Sequence, residues 1–189
     1  ARFPVLVCLF LAAATWLPSD AHSFETTAPT AFMKDFGTGR VLYEKSADLE
    51  IEPASLAKLM TVAVIFDELA AGRLSRDQMF EVSENAWRTG GASSGGSTMF
   101  LPLGSKVSVD DLIHGIIIQS GNDASVAMAE FIAGSEDAFA DLMNAQAQRL
   151  GMTNSHFVNA TGWPAEDHYA SARDLAILAQ AIIRDDPKS

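Results

Sequence analysis

The stretch PASLAKLMTVAVIF at residues 53–66 contains one charged residue, Lys58, among fourteen. A helix that is apolar on nearly every face is a central helix, which its neighbours bury on all sides. Pro53 stands where such a helix would begin and Gly72 follows where it would end, the usual positions of these two residue types. We therefore predict a buried helix from Ala54 to Ala71 at the centre of the fold.

Ser55 and Lys58 are the candidate reactive residues of this helix. Burial disfavours the charged form of an ammonium group, so we expect the pKa of Lys58 to be lowered. Residues three apart share a helix face, with Cβ atoms about 5–6 Å apart, so a neutral Lys58 amine could accept the Ser55 proton. The alternative is structural: Ser55 caps the helix and Lys58 extends to the surface.

A second polar group, Gln119-Ser120-Gly121-Asn122-Asp123, interrupts two strongly helical stretches. A short break between buried helices can point hydroxyl and amide groups inward. The alternative is an ordinary turn in which Asn122 or Asp123 caps the second helix. Taken alone, the segment 119–123 is better explained as an ordinary turn with a helix cap than as part of an active site.

The remaining pattern predicts strands at the start of the chain and helices after them. Residues 30–35 and 40–45 flank Phe36-Gly37-Thr38-Gly39, which is typical of a β-hairpin. Further helices are predicted over 109–118 behind a Ser108/Asp111 capping box, over about 123–133, over 135–150, and from a Ser171/Asp174 cap to Pro187, with a Gly/Ser loop at 90–98. The predicted fold class is mixed α/β (α+β), an antiparallel sheet covered by helices.

Composition excludes several classes of function. The 189 residues suffice for one domain, and 13 Lys and Arg against 24 Asp and Glu give a net charge of -11, so we expect no nucleic-acid partner. The single cysteine, Cys8, can form neither an internal disulfide nor a zinc cluster. Because His114, His156 and His168 lack a metal-ligand spacing, we expect no metal and no cofactor.

The first 23 residues have the pattern of a secretory signal peptide. Arg2 precedes the uncharged run from Phe3 to Pro18, which is shorter than the roughly 20 residues of a membrane span. Ala21 and Ser23 supply the small residues that precede a cleavage site. The alternative to a signal peptide is that this segment is a buried N-terminal helix. We expect cleavage after Ser23 and export of residues 24–189.

Two of these motifs together resemble a known family. Ser55-Leu56-Ala57-Lys58 and the later Ser120-Gly121-Asn122 are similar to the first two motifs of the penicillin-recognising serine enzymes. The resemblance is to the low-molecular-mass penicillin-binding proteins that act as D-alanyl-D-alanine carboxypeptidases, and it runs from about Thr30 to Ile183. It implies a β-lactamase/transpeptidase-like fold.

The resemblance also implies a role for each site residue. Ser55 would be the nucleophile and Lys58 its general base, Ser120 would relay a proton to the leaving amine, and Asn122 would bind the acyl side chain and orient Lys58. The implied partner is a peptidoglycan stem peptide ending in D-Ala-D-Ala, cleaved through an acyl-enzyme. β-Lactams would acylate the same serine, and the enzyme would act in the periplasm or at the outer face of the cytoplasmic membrane.

One motif of the family is missing. The family carries Lys-Thr-Gly on a strand after the helices, but none follows Asn122, and we interpret Arg88-Thr89-Gly90 as a coincidence. We therefore expect residues 24–189 to be an incomplete catalytic domain without its closing strands, and inactive alone. We also expect membrane association only through a C-terminal anchor that this chain lacks.

Two alternative functions remain open. A β-lactamase of the same fold would need a group that activates the deacylating water, and the Glu-x-x-x-Asn stretch of class A enzymes does not follow Asn122. A non-catalytic cell-wall-binding protein is compatible with the missing third motif.

Overall fold

The structure, a computed structural model, describes residues 24–185, so the predicted signal peptide lies outside the described residues. In chain order the elements are strands β1 (Ala31–Lys34) and β2 (Val41–Lys45), helix α1 (Lys58–Ala70), strands β3 (Met79–Glu81) and β4 (Lys106–Ser108), and helices α2 (Val109–Gln119), α3 (Asn122–Ala133), α4 (Glu136–Leu150) and α5 (Ala172–Asp185). Each of the helices in this part of the chain is too short or too polar to cross a membrane.

Strands β1 and β2 form the predicted hairpin. They pair antiparallel, with Ala31 opposite Lys45. The Asp35 carboxylate closes the turn by accepting a hydrogen bond of 2.7 Å from the Thr38 backbone N–H. Gly39 takes a φ of 73°, which a residue with a Cβ rarely adopts. The turn residues therefore form the hairpin connection that the sequence predicted.

Helix α1 lies between two hydrophobic clusters, as expected of a central helix. Val62 and Ile65 face a cluster shared with α2, α3 and the β3–β4 sheet. Met60 and Val64 face a second cluster, which α4 and α5 complete. Because α1 contributes to both clusters, its apolar residues are needed on opposite faces, and this explains the near absence of charge over 53–66.

The first turn of the predicted helix differs from the expectation. Residues Ala54–Ala57 form a 3-10 helix, and the α-helix begins only at Lys58. Ala54 has a φ of 46°, outside helical geometry, and its carbonyl oxygen lies directly against the Gly162 backbone. The helix ends as predicted, with Gly72 at a φ of 68°.

Serine caps set the start of three later helices, and the sequence predicted two of them, at Ser108 and Ser171. The Ser108 hydroxyl accepts the Asp111 N–H at 3.1 Å at the start of α2. The Ser135 and Ser171 hydroxyls accept the N–H groups of Ala138 and Asp174 at 3.2 and 3.1 Å. Such caps satisfy N–H groups that have no partner inside the helix.

Two features between residues 76 and 108 were not predicted. Strands β3 and β4, three residues each, pair antiparallel in a second small sheet. The predicted Gly/Ser loop at 90–98 is also partly helical, because a π-helical turn covers Ala86–Gly90 and a 3-10 turn covers Ala92–Ser94. The π-helical turn packs closely on the start of α3, since a Cβ at Gly90 would lie 2.4 Å from the Asp123 nitrogen.

Asp123 holds the segment 97–101 against the start of α3. Its carboxylate is fully buried and accepts hydrogen bonds from the Thr98 hydroxyl at 2.7 Å and from the Met99 and Leu101 N–H groups at 2.9 Å. The Ala124 N–H donates a fourth at 2.9 Å. A buried carboxylate is stable only with such a set of donors, so Asp123 determines where the Ser120–Asn122 turn lies.

We predict that Asp123→Asn destabilises the protein by about 2–4 kcal/mol, because an amide NH₂ would replace one acceptor oxygen and oppose donors such as the Leu101 N–H. Urea unfolding followed by circular dichroism measures the free energy of unfolding. The matched control is Asp141→Asn, an exposed position on α4, which should change stability by less than about 0.5 kcal/mol. Equal unfolding midpoints for both variants would contradict the role assigned to Asp123.

Candidate active site

The structure brings three of the four predicted site residues to one small pocket. Ser55, Lys58 and Ser120 line a cavity of about 140 Å³ together with apolar residues of α1 and α2. The fourth, Asn122, lines a neighbouring cavity of about 490 Å³. The two predicted motifs, far apart in sequence, therefore lie side by side.

Lys58 is buried, with 4% of its surface exposed. Its Nζ donates a hydrogen bond of 2.6 Å to the carbonyl oxygen of Thr161. Burial lowers the pKa of Lys58 to about 8, in the direction expected from the sequence. The alternative in which Lys58 extends to the surface is wrong, because the helices around α1 enclose the side chain.

Ser55 is exposed in the 3-10 turn that precedes α1. The alternative in which it caps the helix is wrong, since neither helix start in this region has a side-chain cap. Gly162 positions the turn: its φ is 80°, and a Cβ there would lie 1.8 Å from the Ala54 oxygen. The backbone beside Ser55 is thus held by direct contact with residue 162.

Ser120 ends helix α2 in a strained conformation. Its φ of 55° and ψ of 36° are left-handed, a region that non-glycine residues enter at a cost. The Ser120 hydroxyl oxygen is buried and makes no hydrogen bond within residues 24–185. A buried hydroxyl without a partner is rare in proteins, and this one faces the pocket that Ser55 and Lys58 line.

Asn122 begins helix α3, and its backbone N–H donates to the Ser97 carbonyl at 2.8 Å. Gly121, not Asn122 or Asp123, is the cap residue of α3, and no side chain caps it. The Asn122 amide packs on Gly96, where a Cβ would lie 2.5 Å from Nδ2. In the described residues, Lys58 donates to Thr161 rather than to Asn122.

Arg88-Thr89-Gly90 lies closer to this site than the sequence indicated. Arg88 and Thr89 line the larger cavity with Asn122. The three residues lie in the π-helical turn over Ala86–Gly90, not in a strand. The turn is therefore no substitute for a strand-borne Lys-Thr-Gly motif, although it forms part of the wall beside Asn122.

Asn159 is a residue that sequence reasoning missed. Its Oδ1 accepts hydrogen bonds from the N–H groups of Thr161, Gly162 and Trp163, at 3.2, 2.8 and 3.1 Å. Its Nδ2 donates to the Trp163 carbonyl at 2.9 Å. The turn that Asn159 holds presents the Thr161 carbonyl to Lys58 and places Gly162 against Ala54. The only signal in the sequence was an Asn two residues before Thr-Gly, a common turn pattern.

The arrangement is suited to nucleophilic catalysis. Within residues 24–185, no group of three or more His, Cys, Asp or Glu side chains could hold a metal ion. A buried amine with a lowered pKa next to a serine can accept that serine's proton, and a free hydroxyl at the same pocket can pass a proton onward.

Comparison with known proteins identifies the family. Residues 18–189 match the family model of S11 peptidases, described as D-alanyl-D-alanine carboxypeptidase. The chain is 46% identical over 161 residues to the D-alanyl-D-alanine carboxypeptidase DacA of Escherichia coli K12, covering 85% of this chain and 40% of that protein. It therefore spans less than half the length of this curated relative.

Solved structures give the same result for the fold. The crystal structure of the D-alanyl-D-alanine carboxypeptidase DacD from Francisella tularensis is 40% identical, with a TM-score of 0.82, and the match covers 100% of this chain and 41% of that one. Penicillin binding protein 5 from Haemophilus influenzae is 38% identical, with a TM-score of 0.84, over 88% of this chain and 48% of that one. The predicted fold class is confirmed, and the chain belongs to the D-alanyl-D-alanine carboxypeptidase family of S11 peptidases.

Proposed function

We propose that the protein is a serine-type D-Ala-D-Ala carboxypeptidase that removes the terminal D-alanine of peptidoglycan stem peptides. The observation that carries the proposal is the pocket in which the buried Lys58 amine, the Ser55 side chain and the unpartnered Ser120 hydroxyl meet. Membership of the family supports the same reaction.

In the proposed acylation step, the Ser55 oxygen attacks the carbonyl of the penultimate D-alanine. Neutral Lys58 accepts the Ser55 proton, and its hydrogen bond to the Thr161 carbonyl keeps the amine in place. Ser120 relays a proton to the nitrogen of the leaving D-alanine. Asn122 binds the amide of the acyl chain, on the side of the larger cavity.

In the proposed second step, water hydrolyses the ester to Ser55 and releases the shortened peptide. A β-lactam would open on the same serine, but its ring remains attached as a bulky acyl group and leaves slowly. β-Lactams are therefore the inhibitors expected of this site.

The place of action follows from the proposed substrate, since peptidoglycan lies outside the cytoplasm. We propose that residues 1–23 are a signal peptide and that residues 24–189 belong to a catalytic domain that acts in the periplasm or at the outer face of the cytoplasmic membrane. The order of Arg2, the apolar run and the small residues before position 23 supports this proposal.

One experiment separates this function from the two alternatives. The full-length protein is mixed with penicillin and followed by mass spectrometry. A persistent adduct on one serine indicates the carboxypeptidase, rapid release of opened penicillin indicates a β-lactamase, and the absence of any adduct indicates a non-catalytic wall-binding protein.

We predict that Ser55→Ala abolishes labelling of the full-length protein by a fluorescent penicillin, because the acylated oxygen is removed. The far-UV circular dichroism spectrum should be unchanged, since Ser55 is exposed and caps no helix. Ser93→Ala, at an exposed serine of the 3-10 turn over 92–94, is the matched control and should label normally. Labelling that survives Ser55→Ala would remove the proposed nucleophile.

The pH dependence of acylation tests the role of Lys58. Its pKa is lowered to about 8, so the neutral form that can accept a proton predominates only above that pH. We predict that the rate of acylation by penicillin rises up to tenfold per pH unit below pH 8 and levels off above it. A rate that keeps rising to about pH 10, the ordinary pKa of lysine, would contradict desolvation of Lys58.

We predict that the Lys58→Arg variant is not acylated at any pH between 6 and 10. A guanidinium keeps its proton over this range and cannot accept the Ser55 proton. Circular dichroism confirms that the variant is folded before its labelling is measured. Near-native acylation by a folded Lys58→Arg protein would show that only positive charge is needed at this position.

A further inference from the structure

His168 is a buried titratable residue that the proposed mechanism does not use. Only 4% of its surface is exposed, and its ring meets the Phe157 ring edge-on, with the ring centroids 5.9 Å apart. Neither ring nitrogen makes a hydrogen bond to another residue within 24–185. A protonated imidazole has two N–H donors, and none of those residues accepts from either, so the neutral form is favoured here.

His168 lies at the base of a loop that a short strand pairing closes. His156 and Tyr169 pair antiparallel, and their N–H groups donate to each other's carbonyl oxygens at 2.8 and 3.0 Å. Ala170 pairs with Ile51 in the same way, at 2.9 and 3.0 Å. Residues 157–168 between these pairings are named the site loop, and the rings of its first and last residues are in contact.

The site loop carries the hydrogen-bond acceptor of Lys58. The Lys58 Nζ donates to the Thr161 carbonyl at 2.6 Å. One turn further along α1, the buried Thr61 hydroxyl donates to the Ala160 carbonyl at 2.8 Å. Both contacts depend on the position of the loop, and the two ends of the loop meet at His168.

The charged groups near His168 give its ring no ionic partner. They lie on the segments next to it or paired with it, and on the helices that contact the site loop: His156, Glu50, Glu52, Glu166, Asp167, Arg173, Asp174, Lys58 and Glu136. Within the described part of the chain, none of them makes a hydrogen bond to an imidazole nitrogen of His168.

The buried or half-buried members of this set are engaged elsewhere. Asp174 accepts hydrogen bonds from the Asn154 N–H and the Ser155 hydroxyl. Arg173 donates to Glu44 and Asp48 on the side of the hairpin. The carboxylates at positions 50, 52, 166 and 167 are exposed, so water screens their charges.

This environment makes the hold on the site loop depend on pH. Burial lowers the pKa of His168, and the nearby His156 lowers it further. If the loop opens to water, the imidazole regains the ordinary histidine pKa of about 6.5, and above that pH both forms are neutral. As the pH falls below it, the open form gains a proton and the closed form does not. The closed form therefore loses stability, by up to about tenfold in the equilibrium per pH unit.

We infer that His168 is a positioning residue of the active site, which holds the site loop, and with it the Thr161 carbonyl that binds Lys58, only as a neutral imidazole. Acid therefore loosens the loop as well as protonating the base. The effect on acylation rests on the proposed carboxypeptidase function, whereas the hold on the loop does not.

Hydrogen–deuterium exchange of the full-length protein measures the hold on the loop. Labelling times are scaled for the chemical exchange rate at each pH, and the peptide over residues 156–169 is compared with that over α3. We expect the protection of the 156–169 amides to fall by up to about tenfold per pH unit from pH 6.5 to 5, while that of α3 stays constant. His168→Leu, which has a similar volume and no ionisable group, should abolish this fall.

The pH profile of acylation by penicillin tests the positioning role. Titration of Lys58 accounts for a change of up to about tenfold per pH unit. Between pH 6 and 5 the second proton, on His168, should make the native rate fall by more than this, whereas the rate of His168→Leu should not. Each rate is divided by the same protein's rate at pH 8, so a general loss caused by the substitution cancels.

His114→Leu is the matched control, because it makes the same change at an exposed histidine of α2. It should keep both pH dependences of the native protein. If His168→Leu lacks the native circular dichroism spectrum, His168→Gln takes its place, since an amide is also uncharged at pH 5.

Loop protection that stays constant between pH 6.5 and 5 in the native protein would overturn the inference. So would a fall that persists in His168→Leu, which would point instead to Glu136, whose carboxylate accepts from the Ala160 N–H and whose pKa burial raises. A native acylation rate that falls no more than tenfold between pH 6 and 5 would refute the positioning role. If the native protein is acylated at no pH, the proposed function fails, and exchange alone decides whether His168 holds the loop.

Discussion

Burial of the Lys58 ammonium in an apolar helix is the constraint on which the site depends. Helix α1 has to be apolar on opposite faces because it lies between two clusters, yet it carries one amine. Such a group is tolerated only with a hydrogen-bond acceptor, and the Thr161 carbonyl supplies it. Residues 159–163 must therefore pack against α1. The same segment holds the turn that carries Ser55, because Gly162 contacts the Ala54 carbonyl.

The opposite side of the pocket is held in a different way. Asp123 gathers donors from the segment 97–101, while Gly90 and Gly96 allow backbone and amide atoms to approach the start of α3. These contacts leave Ser120 in a left-handed conformation with an unpaired hydroxyl. Strain and an unsatisfied group at one residue are typical of functional sites, where the surrounding structure supplies the stability.

The parts of the fold that local chemistry determines could be predicted from the sequence. The Asp35–Gly39 turn, the Ser108 cap and the buried helix after Pro53 are each specified by a few neighbouring residues. The 3-10 turn at 54–57 and the π-helical turn at 86–90 could not be predicted, because each packs against a residue far away in the sequence, Gly162 in the first case and Asp123 in the second. For the same reason the sequence indicated Ser55 and Lys58 as a pair but gave only a common turn pattern at Asn159 and no sign of the cavity beside Asn122.

The acceptor for Lys58 is a main-chain oxygen, and this affects how the site tolerates mutation. No substitution at position 161 can delete a carbonyl group, so Lys58 loses its acceptor only when the backbone moves. What a mutation can damage is the bend of the backbone, which depends on the Asn159 amide, on the Thr161 hydroxyl that accepts the Trp163 N–H, and on the absence of a side chain at Gly162. Sensitivity to mutation at this site therefore lies in the side chains that shape the bend, and not in the atom that binds the lysine.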